Sequence, residues 1–166
     1  SAFVVGDTGI LFNNRQRGFR LEEHHPNGMT PGKRPMHTLN AYIVFEDDKP
    51  FLIGGTPGAD LQVQANLQVI TGAIDHGIDP QTLVEAPRWF SRPGSDPPSL
   101  DDPSEVLLER EMPSDVWNGL ADRGHIVKEW PSNVNPGIVQ LIQIEQASGV
   151  MTGASDPRGD GRPLGL

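Results

Sequence analysis

The chain contains 166 residues, of which 36% are hydrophobic, and its 22 acidic against 13 Lys and Arg residues give a formal net charge of -9. That length suffices for one domain with a hydrophobic core, and an acidic chain without a basic cluster is a poor candidate for nucleic-acid binding. No apolar run is long enough to cross a membrane, and the absence of cysteine excludes disulfides and thiolate metal sites while indicating no compartment.

The N-terminal third predicts short strands joined by polar turns. Hydrophobic runs alternate there with clusters of Gly, Asp and Asn, which are the residues that favour turns. Asp47-Asp48-Lys49 separates two such runs closely enough to predict a β-hairpin. The predicted strands are residues 2–5, 10–12, 39–46 and 50–53, and residues 13–30 are a predicted loop.

Two helices are predicted in the middle of the chain. Apolar side chains recur at helical spacing in residues 60–76, and Gly77 follows at a position typical of a helix C-terminus. A second helix begins with Asp79 as N-cap and Pro80 in its first turn, and ends before Pro87. The inward stripe predicted for the first helix consists of Val63, Leu67, Ile70 and Ile74, widened by Leu61, Val69 and Ala73.

The rest of the chain combines loops, one helix and strands. Residues 91–102 are rich in Pro and Ser and predict a loop, and residues 113–123 predict a third helix that ends before Gly124. This order of elements indicates an α+β fold with an antiparallel or mixed sheet covered by helices on one side. The absence of a repeat or linker predicts a single domain over residues 1–166. The remaining predicted strands are residues 106–109, 126–130, 138–145 and 150–154.

The most informative segment joins a predicted strand to the first predicted helix and reads Gly54-Gly55-Thr56-Pro57-Gly58-Ala59-Asp60. A strand, a glycine loop and a helix start together direct unpaired backbone N–H groups towards one point, which suits a bound carboxylate or the oxyanion of acyl transfer. The alternative interpretation is a tight turn that only leads into a helix. A phosphate-binding loop fits less well because no Gly-Lys-Ser/Thr follows.

Several punctuated segments follow one another along nearly the whole chain. They are Gly9-Ile10-Leu11-Phe12-Asn13-Asn14, Pro26-Asn27, Pro31-Gly32-Lys33-Arg34-Pro35, Gly55-Thr56-Pro57-Gly58, Leu67-Gln68-Val69, Ile74-Asp75-His76-Gly77, Glu85-Ala86-Pro87-Arg88 and Gly153-Ala154-Ser155-Asp156-Pro157-Arg158. In this order the chain resembles the γ-glutamyltransferases (glutathione hydrolases), which are N-terminal-nucleophile hydrolases. The resemblance implies part of an αββα sandwich and an acyl-transfer reaction without a metal or organic cofactor.

The resemblance covers the C-terminal portion of the family's small subunit. It implies that the nucleophilic threonine, which self-cleavage frees and whose own α-amine acts as base, lies upstream of Ser1. It also implies a separate large subunit that supplies an arginine for the substrate α-carboxylate. The chain alone is then expected to be inactive, although Ser1 as an N-terminal nucleophile is an alternative.

The resemblance assigns roles to individual residues. Gly58 and Ala59 fall where the family has a Gly-Gly pair whose backbone N–H groups form the oxyanion hole, and an alanine there is expected to require a negative φ. His37 and Thr38 align with a Ser-Ser pair that helps to hold the γ-glutamyl α-carboxylate. Thr38 keeps a hydroxyl, whereas His37 either donates from its ring or points elsewhere.

One stretch departs from the family pattern. Asn13-Asn14-Arg15-Gln16-Arg17-Gly18 aligns with a segment in which an acidic pair follows, and one of those acids binds the substrate ammonium. Arg17 and Gly18 replace the acids, so that an acyl group without an ammonium, such as a glutaryl group, fits better. Glu22 and Glu23 are nearby substitutes, and the alternative is a solvated loop.

Other candidates carry weaker predictions. Lys33 and Arg34 suit a carboxylate but are more often solvated or paired. His24 and His25 beside the two glutamates suggest a metal site, although adjacent loop residues rarely converge on one ion. Ser155 lacks the context of a nucleophile elbow and is expected to be structural. Trp89, Trp117 and Trp130 are expected to be packing residues.

Three functional hypotheses follow from these residues. The first is acyl transfer from, or hydrolysis of, γ-glutamyl amides; the second is a glutaryl or cephalosporin-acylase-like amidase; the third is a non-catalytic scaffold or binding domain. The expected partners are a small-molecule substrate and the missing large subunit, with no nucleic acid and no membrane. A homo-oligomer formed through an exposed sheet edge is a further candidate partner.

Overall fold

A computed structural model of the chain describes residues 3–22, 24–59, 61–93, 103–131, 134 and 136–165. Contacts between residues divide the chain into two compact units, Ser1–Thr38 and Leu39–Leu166. The single domain expected from the sequence stays a prediction. No helix within the described residues has the length and hydrophobicity needed to span a membrane.

The first unit contains little regular structure. Its 3-10 helix, Arg15–Gly18, lies in the segment predicted as a loop. The two strands predicted before it reduce to one bridge between Val4 and Leu11, at which Phe12 N–H donates to the Phe3 carbonyl at 2.8 Å. A two-stranded ribbon is only marginally stable without a layer to pack on, and Phe3 and Leu11 are both exposed, which explains why the strands are short.

The second unit contains a four-stranded antiparallel sheet. Strands β1 (Ala41–Glu46) and β2 (Lys49–Gly55) form the predicted hairpin. Asp47 and Asp48 both adopt positive φ in its turn, as the right-handed twist of a two-residue hairpin favours. Further along the chain, β6 (Gln140–Ile144) and β7 (Met151–Ser155) complete the order β1-β2-β6-β7.

A second, three-stranded sheet lies in the same unit. Strand β3 (Trp89–Arg92) pairs antiparallel with β4 (Glu105–Leu108), which pairs in parallel with β5 (Ile126–Glu129). Helix α3 (Ser114–Asp122) is the crossover between the two parallel strands. Strand β3 was not predicted from the sequence; its first two residues precede the predicted loop 91–102. Residues 94–102 of that loop lie outside the described residues.

Two helices cover one face of the four-stranded sheet. Helix α1 (Leu61–Ile74) ends before Gly77, which adopts φ 61°, and α2 (Pro80–Glu85) begins as predicted. The Asp79 side chain accepts a hydrogen bond from the Thr82 N–H at 3.1 Å and so caps α2. Sheet and helices together bury one core, formed by Leu52, Val69, Ala73, Leu83, Val84, Val139, Leu141 and Ala154.

The side of α1 predicted to face the core is wrong in part. Val63, Leu67 and Ile74 are 60%, 51% and 52% exposed, whereas the buried ridge runs through Leu61, Ala65, Val69 and Ala73 at intervals of four residues. Two alanines in this ridge let the helix approach closely. A second apolar face of α1 therefore remains open, which periodicity alone does not distinguish from the first.

The other face of the four-stranded sheet is also open. Ile43, Ile53 and Ile142 lie directly opposite one another on three adjacent strands, and Ile43 and Ile142 are 54% and 40% exposed. Phe45 on β1 and Met151 on β7 are also exposed apolar residues of this sheet. The described layers are thus helix, sheet and an uncovered apolar surface. The α+β class predicted from the sequence is confirmed.

Candidate active site

The loop between β2 and α1 has the backbone geometry of a binding loop. Gly58 adopts φ 140° and Ala59 adopts φ 48°. The expectation of a negative φ at Ala59 is therefore wrong. The left-handed conformation of this alanine costs about 1 kcal/mol and lies where the loop leads into the helix. The carbonyls of Gly58 and Ala59 accept from the N–H groups of Leu61 and Gln62. Neither the Gly58 nor the Ala59 N–H donates a hydrogen bond to any described residue.

A buried threonine attaches this loop to the sheet. The Thr56 hydroxyl donates to the Pro57 carbonyl at 2.9 Å and accepts from the Ile138 N–H at 2.8 Å. Gly137 passes so close that a Cβ at this position would lie 2.7 Å from the Thr56 hydroxyl oxygen, and it adopts φ 96°. The start of β6 and the loop that carries Gly58 are therefore held together by one side chain.

A cavity of about 320 Å³ opens beside the loop. Phe90 and Trp130 form a tilted ring pair in its wall, with centroids 5.8 Å apart, and Trp130 donates from Nε1 to the Val134 carbonyl at 2.8 Å. The buried residues Leu61, Ala65, Leu107 and Trp130 form a separate small core, and three of them also line the cavity. The cavity is lined by Gly58, Ala59, Leu61, Phe90, Arg92, Leu107, Trp130, Pro131 and Val134.

The remaining predicted site residues lie in the first unit. Arg15 donates from Nη1 to the Thr38 hydroxyl at 3.0 Å, so that a cation lies beside this hydroxyl. Gly18 packs against the Met36 carbonyl, where a Cβ would lie at 3.2 Å, which leaves no room for a larger side chain without a shift. Arg17 and His37 are exposed. The structure thus brings Arg15 and Thr38 together, whereas Arg17 and His37 lie at the surface of that unit.

The metal hypothesis gains no support from the described residues. Among them, no three His, Asp or Glu side chains lie close enough to hold one ion. His25 instead accepts from the Asn27 N–H through Nδ1 at 2.9 Å. Glu23 lies outside the described residues. Lys33 donates to the Pro26 carbonyl at 2.5 Å, as a structural role requires.

A buried ion pair joins three parts of the second unit. Arg88, which is 2% exposed, follows α2 and donates from Nη2 to Asp156 Oδ2 at 2.5 Å, while Asp156 is 0% exposed and follows β7. Asp156 also accepts from the Val139 N–H at 2.9 Å. Both residues belong to punctuated segments of the sequence, yet nothing in the sequence predicted that the two segments meet.

Arg158 extends this pair into a network with Glu109. Its guanidinium donates to Glu109 through Nε at 2.9 Å and Nη2 at 2.7 Å, and to Asp156 through Nη1 at 3.0 Å. Burial by itself would raise the pKa of Asp156, but hydrogen bonds from the Arg158 and Val139 N–H groups and the charge of Arg88 outweigh it and lower that pKa. Asp156 therefore stays ionised in a buried site.

Ser155 and Trp130, both expected to be structural, are buried in the second unit. Ser155 ends β7 in a buried position, and its hydroxyl has no hydrogen-bond partner among the described residues. Trp130 is 7% exposed and packs against Phe90.

Comparison with known proteins places this geometry in a family. The family model described as Gamma-glutamyltranspeptidase matches residues 1–166. The chain belongs to the gamma-glutamyltranspeptidase family. The predicted resemblance is thereby confirmed, and the family consists of hydrolases and transferases.

Relatives of this gamma-glutamyltranspeptidase-family chain include hydrolases and an acylase. The glutathione hydrolase-like YwrD proenzyme of Bacillus subtilis is 34% identical over 100% of this chain and 31% of its own length. The chain thus spans about a third of that relative. The structure of a Helicobacter pylori gamma-glutamyltranspeptidase T380A mutant is 30% identical, with a TM-score of 0.78 over 96% of this chain and 87% of that one.

A third comparison concerns the acylases. The structure of cephalosporin acylase from Bacillus halodurans is 32% identical, with a TM-score of 0.79 over 93% of this chain and 27% of that chain. Together these structures confirm the predicted fold class, an α+β fold of N-terminal-nucleophile hydrolase type. Names such as proenzyme among the relatives agree with the predicted autoprocessing of the family.

Proposed function

We propose that the chain is the part of a γ-glutamyl acyltransferase or hydrolase that supplies its oxyanion hole and one wall of its substrate cleft. The observation that carries the proposal is that Gly58 and Ala59 line a cavity at the start of α1 and that neither of their N–H groups donates to a described residue. Backbone donors fixed by the fold before substrate binds are well suited to a developing negative charge, because they need no reorganisation in the transition state.

The reaction that this loop would support is acyl transfer through an ester. The hydroxyl of a threonine outside the chain adds to the amide carbon while a base removes its proton, and the amide oxygen becomes an oxyanion. Gly58 and Ala59 donate to that oxyanion. The carbon–nitrogen bond then breaks and the amine leaves with the proton. Water or a second amine finally attacks the ester carbonyl and releases the threonine.

The proposal includes a partner that supplies the threonine and the missing layers. Support comes from the two uncovered apolar surfaces, one on the outer face of the four-stranded sheet and one along Val63, Leu67 and Ile74 of α1. Apolar surface of this extent is normally covered in a native assembly. We assign it to the remainder of the polypeptide or a large subunit, and expect the 166 residues alone to be inactive.

A second candidate function has its own observation. Arg15 donates to the Thr38 hydroxyl, and the positions of the family's acidic pair hold Arg17 and Gly18. A substrate ammonium would meet positive charge there, whereas an acyl group that carries only a carboxylate would be attracted. This arrangement favours glutaryl amides, the donors of an acylase, as the second candidate.

The two candidates are separated by a pair of donors that differ only in the ammonium. The 4-nitroanilides of γ-glutamate and of glutarate are compared by kcat/KM with the complete protein that carries this chain. A γ-glutamyl preference supports the first candidate, and a glutaryl preference supports the second. Release of nitroaniline from neither donor, by protein that has processed correctly, would contradict both.

The oxyanion role itself is tested by Gly58→Ala. Its φ of 140° suits only glycine, so that a Cβ forces the peptide to rotate and misdirects the N–H groups. We expect kcat to fall about a hundredfold, as for loss of one oxyanion donor.

The matched control for that variant is Gly77→Ala. Gly77 also has a positive φ, 61°, and a Cβ there would meet no atom within 4 Å. Gly77→Ala introduces backbone strain outside the cavity. The variant should therefore be less stable than the wild type but keep its kcat. Equal losses of kcat in the two variants would argue against an oxyanion role for Gly58.

A further inference from the structure

The wall of the cavity beside Gly58 carries a cation that no described residue neutralises. Arg92 lines the cavity at the end of β3, directly opposite Glu105 on β4. Glu105 is already paired with Lys128 at 2.5 Å. Within the described residues, no carboxylate lies in salt-bridge distance of the Arg92 guanidinium, in a chain of net charge -9.

The rest of the wall is apolar and aromatic. Arg92 and Phe90 are two residues apart on β3, so both side chains lie on the same face of the strand. Leu107 pairs with Phe90 in the sheet register, and Trp130 packs against the Phe90 ring. The cavity therefore combines an apolar and aromatic surface with one positive charge, and Gly58 and Ala59 also line it.

We propose that this cavity binds the amine half of the donor, the part released when the amide bond breaks, and that it selects amines that carry apolar or aromatic surface and a carboxylate. The inference rests on the proposed function, because it takes the Gly58 and Ala59 N–H groups as the place where the amide oxygen lies. An amide that spans that point places its acyl group on one side and its amine on the other. The apolar wall holds the body of the amine, and Arg92 pairs with its carboxylate.

The test uses donors that share an acyl group and differ in the amine. That acyl group is whichever of γ-glutamyl and glutaryl is turned over faster. Its 3-carboxy-4-nitroanilide carries the charge, its 4-nitroanilide lacks it, and its simple amide releases ammonia, which is too small to fill the cavity. The complete protein is assayed as wild type, Arg92→Gln and Arg110→Gln, where Arg110 is an exposed residue of the same unit that does not line the cavity.

Arg92→Gln should lower kcat/KM for the carboxylated anilide about tenfold, the loss of one exposed charge-assisted contact, and change the other two donors less than twofold. Arg110→Gln should change none of the three. Retained activity on the uncharged anilide shows that the variant folds, and Arg92→Lys should recover part of the loss.

Two results would overturn the inference while the proposed function survives. One is an equal fall in the kcat/KM of Arg92→Gln for the charged and the uncharged anilide. The other is an unchanged kcat/KM for both, which is expected if another part of the protein fills the cavity. Wild-type protein that cleaves none of the three donors would instead remove the proposed function, and this inference with it.

Discussion

Single hydrogen bonds decide the shape of the loop that carries Gly58. Thr56 is the clearest case, because one hydroxyl both donates to Pro57 and accepts from Ile138. Its position is 7% exposed, so water cannot easily replace either bond. The left-handed Ala59 three residues later shows that the loop is held in a conformation that a free peptide would rarely adopt.

Thr56→Val is expected to misplace the loop that carries the Gly58 and Ala59 N–H groups. The variant keeps the shape of the side chain and removes both hydrogen bonds, which leaves the partly buried Ile138 N–H unpaired. We expect kcat to fall about tenfold for a misplaced donor pair while KM changes little. Thr56→Ser keeps the hydroxyl and should retain most of the activity. An equal loss in Thr56→Ser would show that the methyl group matters, and the positioning role would be wrong.

The packing of the elements depends on where side chains are small. Helix α1 approaches α2 at Gly72, and a Cβ built there would collide with Leu83, a residue of the buried core. A glycine in the middle of a helix normally costs stability, so its presence here is explained by close approach. Gly119 in α3 has no such reason, because a Cβ there would meet only the flexible end of Arg123 at 3.1 Å.

The two glycines therefore predict opposite outcomes for the same substitution. Gly72→Ala should destabilise the protein by about 1–3 kcal/mol through overpacking against Leu83. Gly119→Ala should stabilise it by about 0.5–1 kcal/mol, the ordinary gain of alanine over glycine within a helix. Urea unfolding followed by tryptophan fluorescence measures both. A stabilised Gly72→Ala variant would contradict the close packing of α1 on α2.

On the scale of the whole molecule, the ion network is the feature that joins distant segments. It links the end of α2, the end of β4 and the chain after β7 through Arg88, Glu109, Asp156 and Arg158. Breaking a buried pair leaves one charge unpaired, which costs about 3–5 kcal/mol, whereas a surface pair contributes about 0–1 kcal/mol. The pair between Lys128 and Glu105, with the lysine 56% exposed, is of the second kind.

Asp156→Asn is therefore expected to destabilise the protein by about 3 kcal/mol at neutral pH, and Glu105→Gln by less than about 1 kcal/mol. The folded pKa of Asp156 lies below its ordinary value of 3.8. Its contribution is thus fully present above that value and is lost as the pH falls through the lower folded pKa.

The pH profile gives this prediction a second readout. The difference in unfolding free energy between wild type and Asp156→Asn should stay constant from about pH 7 to pH 5 and shrink below about pH 4. Urea unfolding at several pH values measures it. A difference that stays unchanged at low pH would show that the asparagine acts through packing and not through lost charge.

Features that depend on local chemistry could be predicted from the order of residues. The cap at Asp79, the helix end at Gly77 and the loop from Thr56 to Ala59 were all predicted correctly as to position, because Pro, Gly and Asp restrict the backbone within a few residues. The family could likewise be recognised from the sequence, because the glycine- and proline-containing segments of the family occur in the same order along this chain.

Features that need a partner distant in sequence became visible only in the folded chain. Strand β3 exists because β4, a strand distant in sequence, pairs with it, and the Val63 side of α1 is open because the core contacts the ridge with alanines. The same holds for Arg88 beside Asp156, for Arg15 beside Thr38, and for the sign of φ at Ala59. Periodicity and turn chemistry describe neighbours along the chain, whereas burial, charge pairing and backbone strain depend on which surfaces meet in space.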